Sequence, residues 1–231
     1  MGNLVAAAMV FIAMRRLIAA TQLRQQIVAR IGERAYLRGF SAASFVVLVW
    51  LGFAYAAART SPANILLFDS TIDLRWAQAV LQLVAVFLIV LGLSTASPTI
   101  AGMGKVVRRE NAAHGILRVT RHPFLWGMAM FGLGHMMVTA DLASWILFGT
   151  LAFVALMGTP SIDAKRRAVW GQAWEAYEAQ TSNLPFLAIL QRRQTLSLRE
   201  IGWVRPAIAV AIYVALVLAH PVLFGGSPLP G

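Results

Sequence analysis

Six long apolar runs divide this chain, and the charges between them are gathered into short clusters. The runs are Leu4 to Ala20, Phe40 to Ala58, Trp76 to Ser97, Pro123 to Thr139, Leu142 to Pro160 and Pro206 to Phe224. A run of about 17 residues or more is long enough to cross a bilayer as a helix. Of the 231 residues, 59% are hydrophobic and only 13% are charged. With a mean hydropathy of +0.70, that lies far from a soluble domain. The sequence predicts an all-α, polytopic membrane bundle of about six transmembrane helices. It reads as a single domain over residues 1–231, with a cytoplasmic connector at about 161–205.

The first run ends with Arg15-Arg16, so its charge follows the apolar stretch instead of preceding it. A signal peptide has the opposite order, and the first helix is expected to stay in the mature protein. Basic residues fall on alternate connections. Arg24, Arg30, Arg34 and Arg38 follow the first run, and Lys105, Arg108, Arg109, Arg118 and Arg121 follow the third. Lys165, Arg166, Arg167, Arg192, Arg193, Arg199 and Arg205 follow the fifth. Positive residues accumulate on cytoplasmic loops. The pattern predicts a multi-pass membrane protein with both termini outside the cytoplasm. The net charge of +11 is then explained by topology and anionic head groups, with no nucleic acid as partner.

Cysteine is absent. That removes disulfides, thiolate nucleophiles, iron–sulfur clusters and cysteine-ligated heme. Any transition metal or heme would rest mainly on four histidines: His114, His122, His135 and His220. The segment Ala164 to Glu178, with Trp170, Trp174 and Tyr177, reads as an amphipathic helix on the membrane surface.

Arg121-His122-Pro123 marks the point where a basic stretch gives way to an apolar run. Pro123 suits a first helical turn, so His122 falls at a helix start near the membrane–water boundary. It can bind a metal, move a proton or hold a head group. Equally, the basic cluster can do no more than orient the helix. At 1.5 Å per residue, His135 lies about 20 Å above His122 on the same helix, and His220 about 21 Å from Pro206. His135 and His220 therefore share an outer-leaflet depth. Arg15, on a helix running inward, lies nearer the depth of His122. Two polar sites are expected: an inner one with Arg15 or Arg16 beside His122, and an outer one of His135 and His220. For the outer pair the bland alternative is an interfacial histidine bonded to a helix carbonyl.

Several motifs resemble those of the NnrU family of integral membrane proteins, and they cover nearly the whole chain. They are Gly32-Glu33-Arg34-Ala35-Tyr36, Gly115 through Pro123 (GILRVTRHP), Gly134-His135, Asp141-Leu142-Ala143-Ser144, and Asp163 with Lys165-Arg166-Arg167. Ser182-Asn183-Leu184-Pro185-Phe186 and His220-Pro221-Val222-Leu223-Phe224-Gly225 complete the set. The resemblance implies a connection with denitrification and nitric-oxide metabolism. That family is similar to plant-type 15-cis-zeta-carotene isomerase, a membrane heme protein with histidine ligation. By that likeness His122 is a candidate axial ligand of heme b, with Arg121, Arg15, His135 and His220 as further cofactor-binding candidates. The likeness also implies isomerisation of an apolar, polyene-like substrate. Arg15 stands about where relatives carry a first-helix histidine, and arginine cannot ligate iron.

The RHP entry also looks distantly like isoprenylcysteine carboxyl methyltransferases and phospholipid methyltransferases. That implies an S-adenosylmethionine-dependent enzyme acting on a lipidic substrate, although Lys165-Arg166-Arg167 occupies the neighbourhood of their glutamate pair. A third class is a non-catalytic assembly or maturation factor of a respiratory membrane complex. The partners expected are membrane lipid, an apolar or lipidic small molecule, and a membrane protein complex.

Overall fold

A computed structural model describes residues 1–15 and 22–229. Ten helices are described: α1 Gly2–Ala13, α2 Gln22–Ile31, α3 Glu33–Arg59, α4 Ile72–Ser94, α5 Pro123–Val138, α6 Leu142–Trp170, α7 Gln172–Gln180, α8 Leu187–Leu190, α9 Leu198–Ile201 and α10 Val204–Phe224. There is no strand among the described residues, and the lone β-bridge joins Leu66 to Asp141. The chain is all-α, and α3, α4, α6 and α10 are each long and apolar enough to cross a membrane. Helices α1 and α5 are apolar but shorter. At 16 residues, α5 reaches about 24 Å, less than a hydrocarbon core of about 30 Å. The part of the first run beyond Arg15, including Arg16, lies outside the described residues.

Helix α5 is the centre of the bundle and packs between α4 and α6. Its glycines permit this. A Cβ on Gly127 would stand 2.8 Å from the Ala85 carbonyl oxygen of α4, and one on Gly132 would stand 2.6 Å from the Phe148 carbonyl oxygen of α6. From the α4 side, a Cβ on Gly92 would come within 2.5 Å of the Phe124 backbone nitrogen. Small residues let backbones approach where lipid supplies no hydrophobic drive between helices. Around this centre, Leu88 and Leu91 of α4 pack with Ile116, Val119, Ile201 and Ala209. Leu4, Ala7 and Ala8 of α1 form a second cluster with Leu51, Ala54 and Ala58 of α3 and Ala143 of α6.

The helix boundaries have local causes. The Asp141 carboxylate caps α6 by accepting from the Ser144 backbone N–H at 3.0 Å and the Ser144 hydroxyl at 2.7 Å, an N-cap arrangement. The sequence suggested a stop at Pro160, yet α6 runs on to Trp170. Pro160 cannot donate to the Leu156 carbonyl, but the Thr159 hydroxyl does so instead, at 3.0 Å. The expected surface helix over Ala164 to Glu178 is broken at Gly171, whose φ of 49° disfavours side chains. Beyond that bend, Trp174 and Tyr177 are buried against Val107, Ala112 and Ala113. They belong to the protein interior and not to a membrane-facing stripe.

Candidate functional site

The loop before α5 is sewn to the loop after α7. Arg121 N–H donates to the Ser182 carbonyl at 2.9 Å, and Phe186 N–H donates to the Val119 carbonyl at 2.8 Å. Trp126 Nε1 donates to the Asn183 carbonyl at 2.8 Å. This seam fixes His122 as the N-cap of α5, with Pro123 at the first helical position.

An ion-pair network lies beneath the seam. Asp163, on α6, accepts from Arg121 Nη2 at 2.6 Å and from His122 Nε2 at 2.7 Å. Arg121 Nη2 also donates to Glu178 Oε1 at 3.0 Å, and the outer oxygen of Glu178 accepts from Arg167. Side-chain exposure rises along the chain of contacts: 1% at His122, 8% at Asp163, 10% at Arg121, 19% at Glu178 and 50% at Arg167. Two guanidiniums thus balance two carboxylates, and the imidazole sits at the sealed end. Burial pushes the His122 imidazole below its usual value, against the pull of the Asp163 carboxylate. It is therefore neutral at neutral pH and donates its Nε2–H. Buried charges persist only when paired in this way.

A second clamp holds the connector. Glu200, on α9, accepts from Arg118 Nε at 2.8 Å, Arg118 Nη2 at 2.7 Å and Gly115 N–H at 2.7 Å. The Arg118 guanidinium and the Gly115 N–H hold the Glu200 carboxyl down at about 2.

This clamped connector forms one wall of a cavity of about 920 Å³. Val84, Phe87 and Leu88 of α4, Met130 of α5, and Ile201 and Trp203 at the approach to α10 are among its lining residues. Arg199 is the only charged residue on its wall among the described residues. A second groove, of about 300 Å³, runs between α1, α5 and α6. His122, Arg121 and Asp163 line neither space.

A family model described as "NnrU protein" matches residues 3–228. The chain belongs to the NnrU family. Two curated proteins share part of it. The "15-cis-zeta-carotene isomerase, chloroplastic" of Arabidopsis thaliana is 33% identical over 119 residues, and that of Zea mays is 28% identical over 116 residues. Each alignment covers 49% of this chain and 32% of the relative. This NnrU family chain thus spans about a third of the length of the curated relatives it matches. No solved structure matches it.

The sequence-derived candidates separate in this NnrU family structure. His122 faces the interior as expected, but the basic residue joined to it through Asp163 is Arg121. Arg15 lies at the end of α1, its guanidinium 5.4 Å from the Phe11 ring centre and 5.6 Å from that of Phe40. It lines the smaller groove and has no described contact with His122. His135 Nδ1 lies 2.8 Å from the Phe131 carbonyl and 3.0 Å from the Gln82 amide Nε2, and the ring stacks on Phe148 at 4.3 Å. His220 donates Nδ1–H to the Gly226 carbonyl at 2.7 Å and lies near enough to act electrostatically on His135.

These geometries differ in their fit to heme. The His122 ring is sealed, with Nε2 donating to Asp163 and Nδ1 without a described hydrogen bond, so any ligation there would fall to Nδ1, and neither described cavity reaches it. His220 has Nδ1 tied to a carbonyl, His135 Nδ1 stands between the Phe131 carbonyl and the Gln82 amide nitrogen, and neither Nε2 has a described hydrogen bond. One ring nitrogen held and the other free is the arrangement metal-ligating histidines use. Asp163, Glu178, Glu200 and Arg118 were not singled out as site residues from sequence. Asp163 carried a signal, since it is the first charge after the apolar stretch Leu142 to Ile162.

Proposed function

We propose that this NnrU family protein takes a long, apolar, polyene-like molecule into the 920 Å³ cavity and acts there as an isomerase. The cavity itself carries the reading. Its volume lies near the top of the range of about 300–1,000 Å³ for small-molecule sites. Its walls are almost wholly hydrocarbon and aromatic, which suits a ligand without polar groups. Trp203 and Leu198 on its lining are 79% and 71% exposed, so the connector offers apolar surface to lipid and a lateral way in from the bilayer. Two relatives are named for isomerising a carotene. An isomerase neither adds nor removes atoms. Turning a double bond requires its π bond to be weakened for a moment, which a one-electron redox group would supply if bound, and the chain's own residues hold the polyene on either side of that bond. Val119, Phe87 and Met130 are placed for such holding. The chain has no thiol to add reversibly to an alkene.

The test is conversion of a cis polyene. Purified protein in lipid nanodiscs is incubated with 15-cis-zeta-carotene, and the products are separated by chromatography. The account expects product that is trans at the 15 position to accumulate, and Val119→Trp, which fills the cavity, to abolish this. Equal conversion by wild type and Val119→Trp would contradict it. No conversion and no bound polyene would favour the assembly-factor reading.

The free Nε2 atoms of His135 and His220 favour one addition. We propose that heme b, if this chain carries it, is held by that outer pair and not by His122. When bound, it supplies a one-electron redox centre. The chain's own part is to orient the His220 ring through the Gly226 carbonyl and the His135 ring through the Phe131 carbonyl and the Gln82 amide.

A further inference from the structure

Between α7 and α10 the chain turns apolar side chains outward. Leu184 and Phe186 are half-exposed, and Leu190, Leu198 and Trp203 are largely exposed. An apolar patch of this kind marks an interaction surface. The turn that presents it is strained. Phe186 and Arg192, on either side of α8, have φ of 64° and 58°, a region that non-glycine residues rarely adopt. Bonds from elsewhere hold that strain. Phe186 N–H donates to the Val119 carbonyl at 2.8 Å, and Arg193 Nη1 donates to the Ala179 and Thr181 carbonyls at 2.6 and 2.8 Å. Phe186 and Leu190 are therefore fixed in their outward position.

Packing sets the depth of this segment. Its inner side chains, Ile189 and Ile201, join the cluster of Leu88 and Leu91 on α4 and Ala209 on α10. Leu88 lies about 9 Å inside the Ser94 end of α4, and Ala209 about 8 Å inside the Val204 end of α10. Both helices are long and apolar enough to span. The segment thus sits beside the ends of two spans and not beyond them. Its backbone suits that depth. Ala188 N–H donates to the Ser182 hydroxyl at 3.0 Å, and the N–H groups of Leu190, Gln191, Arg192 and Arg193 close on carbonyls of Phe186 to Ile189. Irregular backbone near lipid must satisfy its polar groups within the protein. The charges agree as well. Residues 184–203 hold Arg192, Arg193 and Arg199 against Glu200 alone, and Glu200 is taken by Arg118.

We propose that residues 184–203 are a membrane-interface element, seated in the leaflet on the basic side of the bundle. Phe186, Leu190 and Leu198 enter the upper acyl chains, and Arg192 and Arg199 reach back to the head groups, as long basic side chains do. The partner is the lipid of that leaflet. A segment expected in the cytoplasm is thereby part of the membrane domain. The proposal does not rest on the polyene reading and stands even if the large cavity holds nothing.

The chain has no cysteine, so single cysteines can carry a reporter in the full chain. Leu190→Cys and Leu198→Cys, each with an environment-sensitive fluorophore, are compared in nanodiscs of phosphatidylcholine and phosphatidylglycerol. Val214→Cys, exposed on α10, is the bilayer reference. Val169→Cys is the water reference, because Val169 is exposed and stands about 40 Å along α6 from Leu142, beyond a hydrocarbon core of about 30 Å. The Leu190 and Leu198 labels should lose emission to a nitroxide on the lipid acyl chain and keep it against aqueous iodide, as the Val214 label does. The Val169 label should do the reverse. Unlabelled wild type supplies a second reading if a label disturbs the fold. Hydroxyl radicals generated in the water should spare Leu190 and Leu198 while modifying Val169. Iodide quenching at either leucine position, or oxidation of either leucine, would place the segment in water, open to a protein partner, and overturn the proposal.

Discussion

Arg121, in the loop before α5, and Asp163 of α6 form a buried, two-nitrogen ion pair: Nε and Nη2 of the arginine both reach Oδ2, at 3.0 and 2.6 Å. The same carboxylate accepts a hydrogen bond from His122 Nε2 through its other oxygen. Removing it leaves a guanidinium and an imidazole N–H in the interior. Loss of one member of a buried pair costs about 3–5 kcal/mol. Asp163→Ala is therefore expected to destabilise the protein by about that much, read as thermal unfolding in detergent. Arg167→Ala, at the exposed end, should leave the unfolding midpoint nearly unchanged. Comparable losses in the two variants would show that the network does not run from a sealed to an open end.

The close approach of α4, α5 and α6 makes a second prediction. Gly92→Ala puts a Cβ within 2.5 Å of the Phe124 nitrogen, whereas Gly52→Ala in α3 meets nothing within 4 Å. Overpacking costs about 1–3 kcal/mol, and alanine in an open helix position gains up to about 1 kcal/mol over glycine. The two variants should therefore shift the unfolding midpoint in opposite directions. A stabilised Gly92→Ala would mean that the helices stand further apart than described.

Much of this architecture was legible in the sequence. Apolar runs located the helices of the bundle because length and hydropathy are local properties, and Pro123 announced the start of α5. The extension of α6 past Pro160 was not legible, because it depends on the Thr159 hydroxyl replacing a missing donor. Trp174 and Tyr177 read as interfacial from their spacing. Only the bend at Gly171 and the turns at Gly104–Arg108 and Gly115–Arg118 carry them inward. His122 stood out by residue type, but its partner Asp163 lies 41 positions away, and Glu178, which joins the network through Arg121, lies further on, with no periodicity connecting them.

The Arg118–Glu200 clamp has a worked pH dependence. A carboxyl held at about 2 in the folded protein, against an ordinary value of 4.5, adds stability that is full above about 4.5. That stability is lost as pH falls through about 2. Amide hydrogen exchange over Ser197–Gly202 should therefore be unchanged between pH 7 and pH 5, after correction for intrinsic rates. Glu200→Gln should speed it at both. Slow exchange in Glu200→Gln would mean that other contacts close the connector.

For heme, the histidines divide into two groups. After heme-replete expression, His135→Ala and His220→Ala should each lose Soret absorbance or change its spin state, and His122→Ala should keep the wild-type spectrum while melting earlier. A Soret band lost only in His122→Ala would return the ligand to the α5 entry, and would require the Asp163 contact to open.

The central claim is that the cavity beside α4, α5 and α10 holds a long apolar molecule. The most direct measurement is equilibrium binding of a polyene to the full chain in nanodiscs, followed by quenching of tryptophan fluorescence. Trp203, on the cavity wall, acts as the donor, and Trp203→Phe identifies its share of the signal. The account predicts saturable quenching in wild type, lost in Val119→Trp and retained when the smaller groove is filled by Met128→Trp. Quenching that never saturates, or that survives Val119→Trp unchanged, would show the polyene dissolved in lipid and the cavity empty of it.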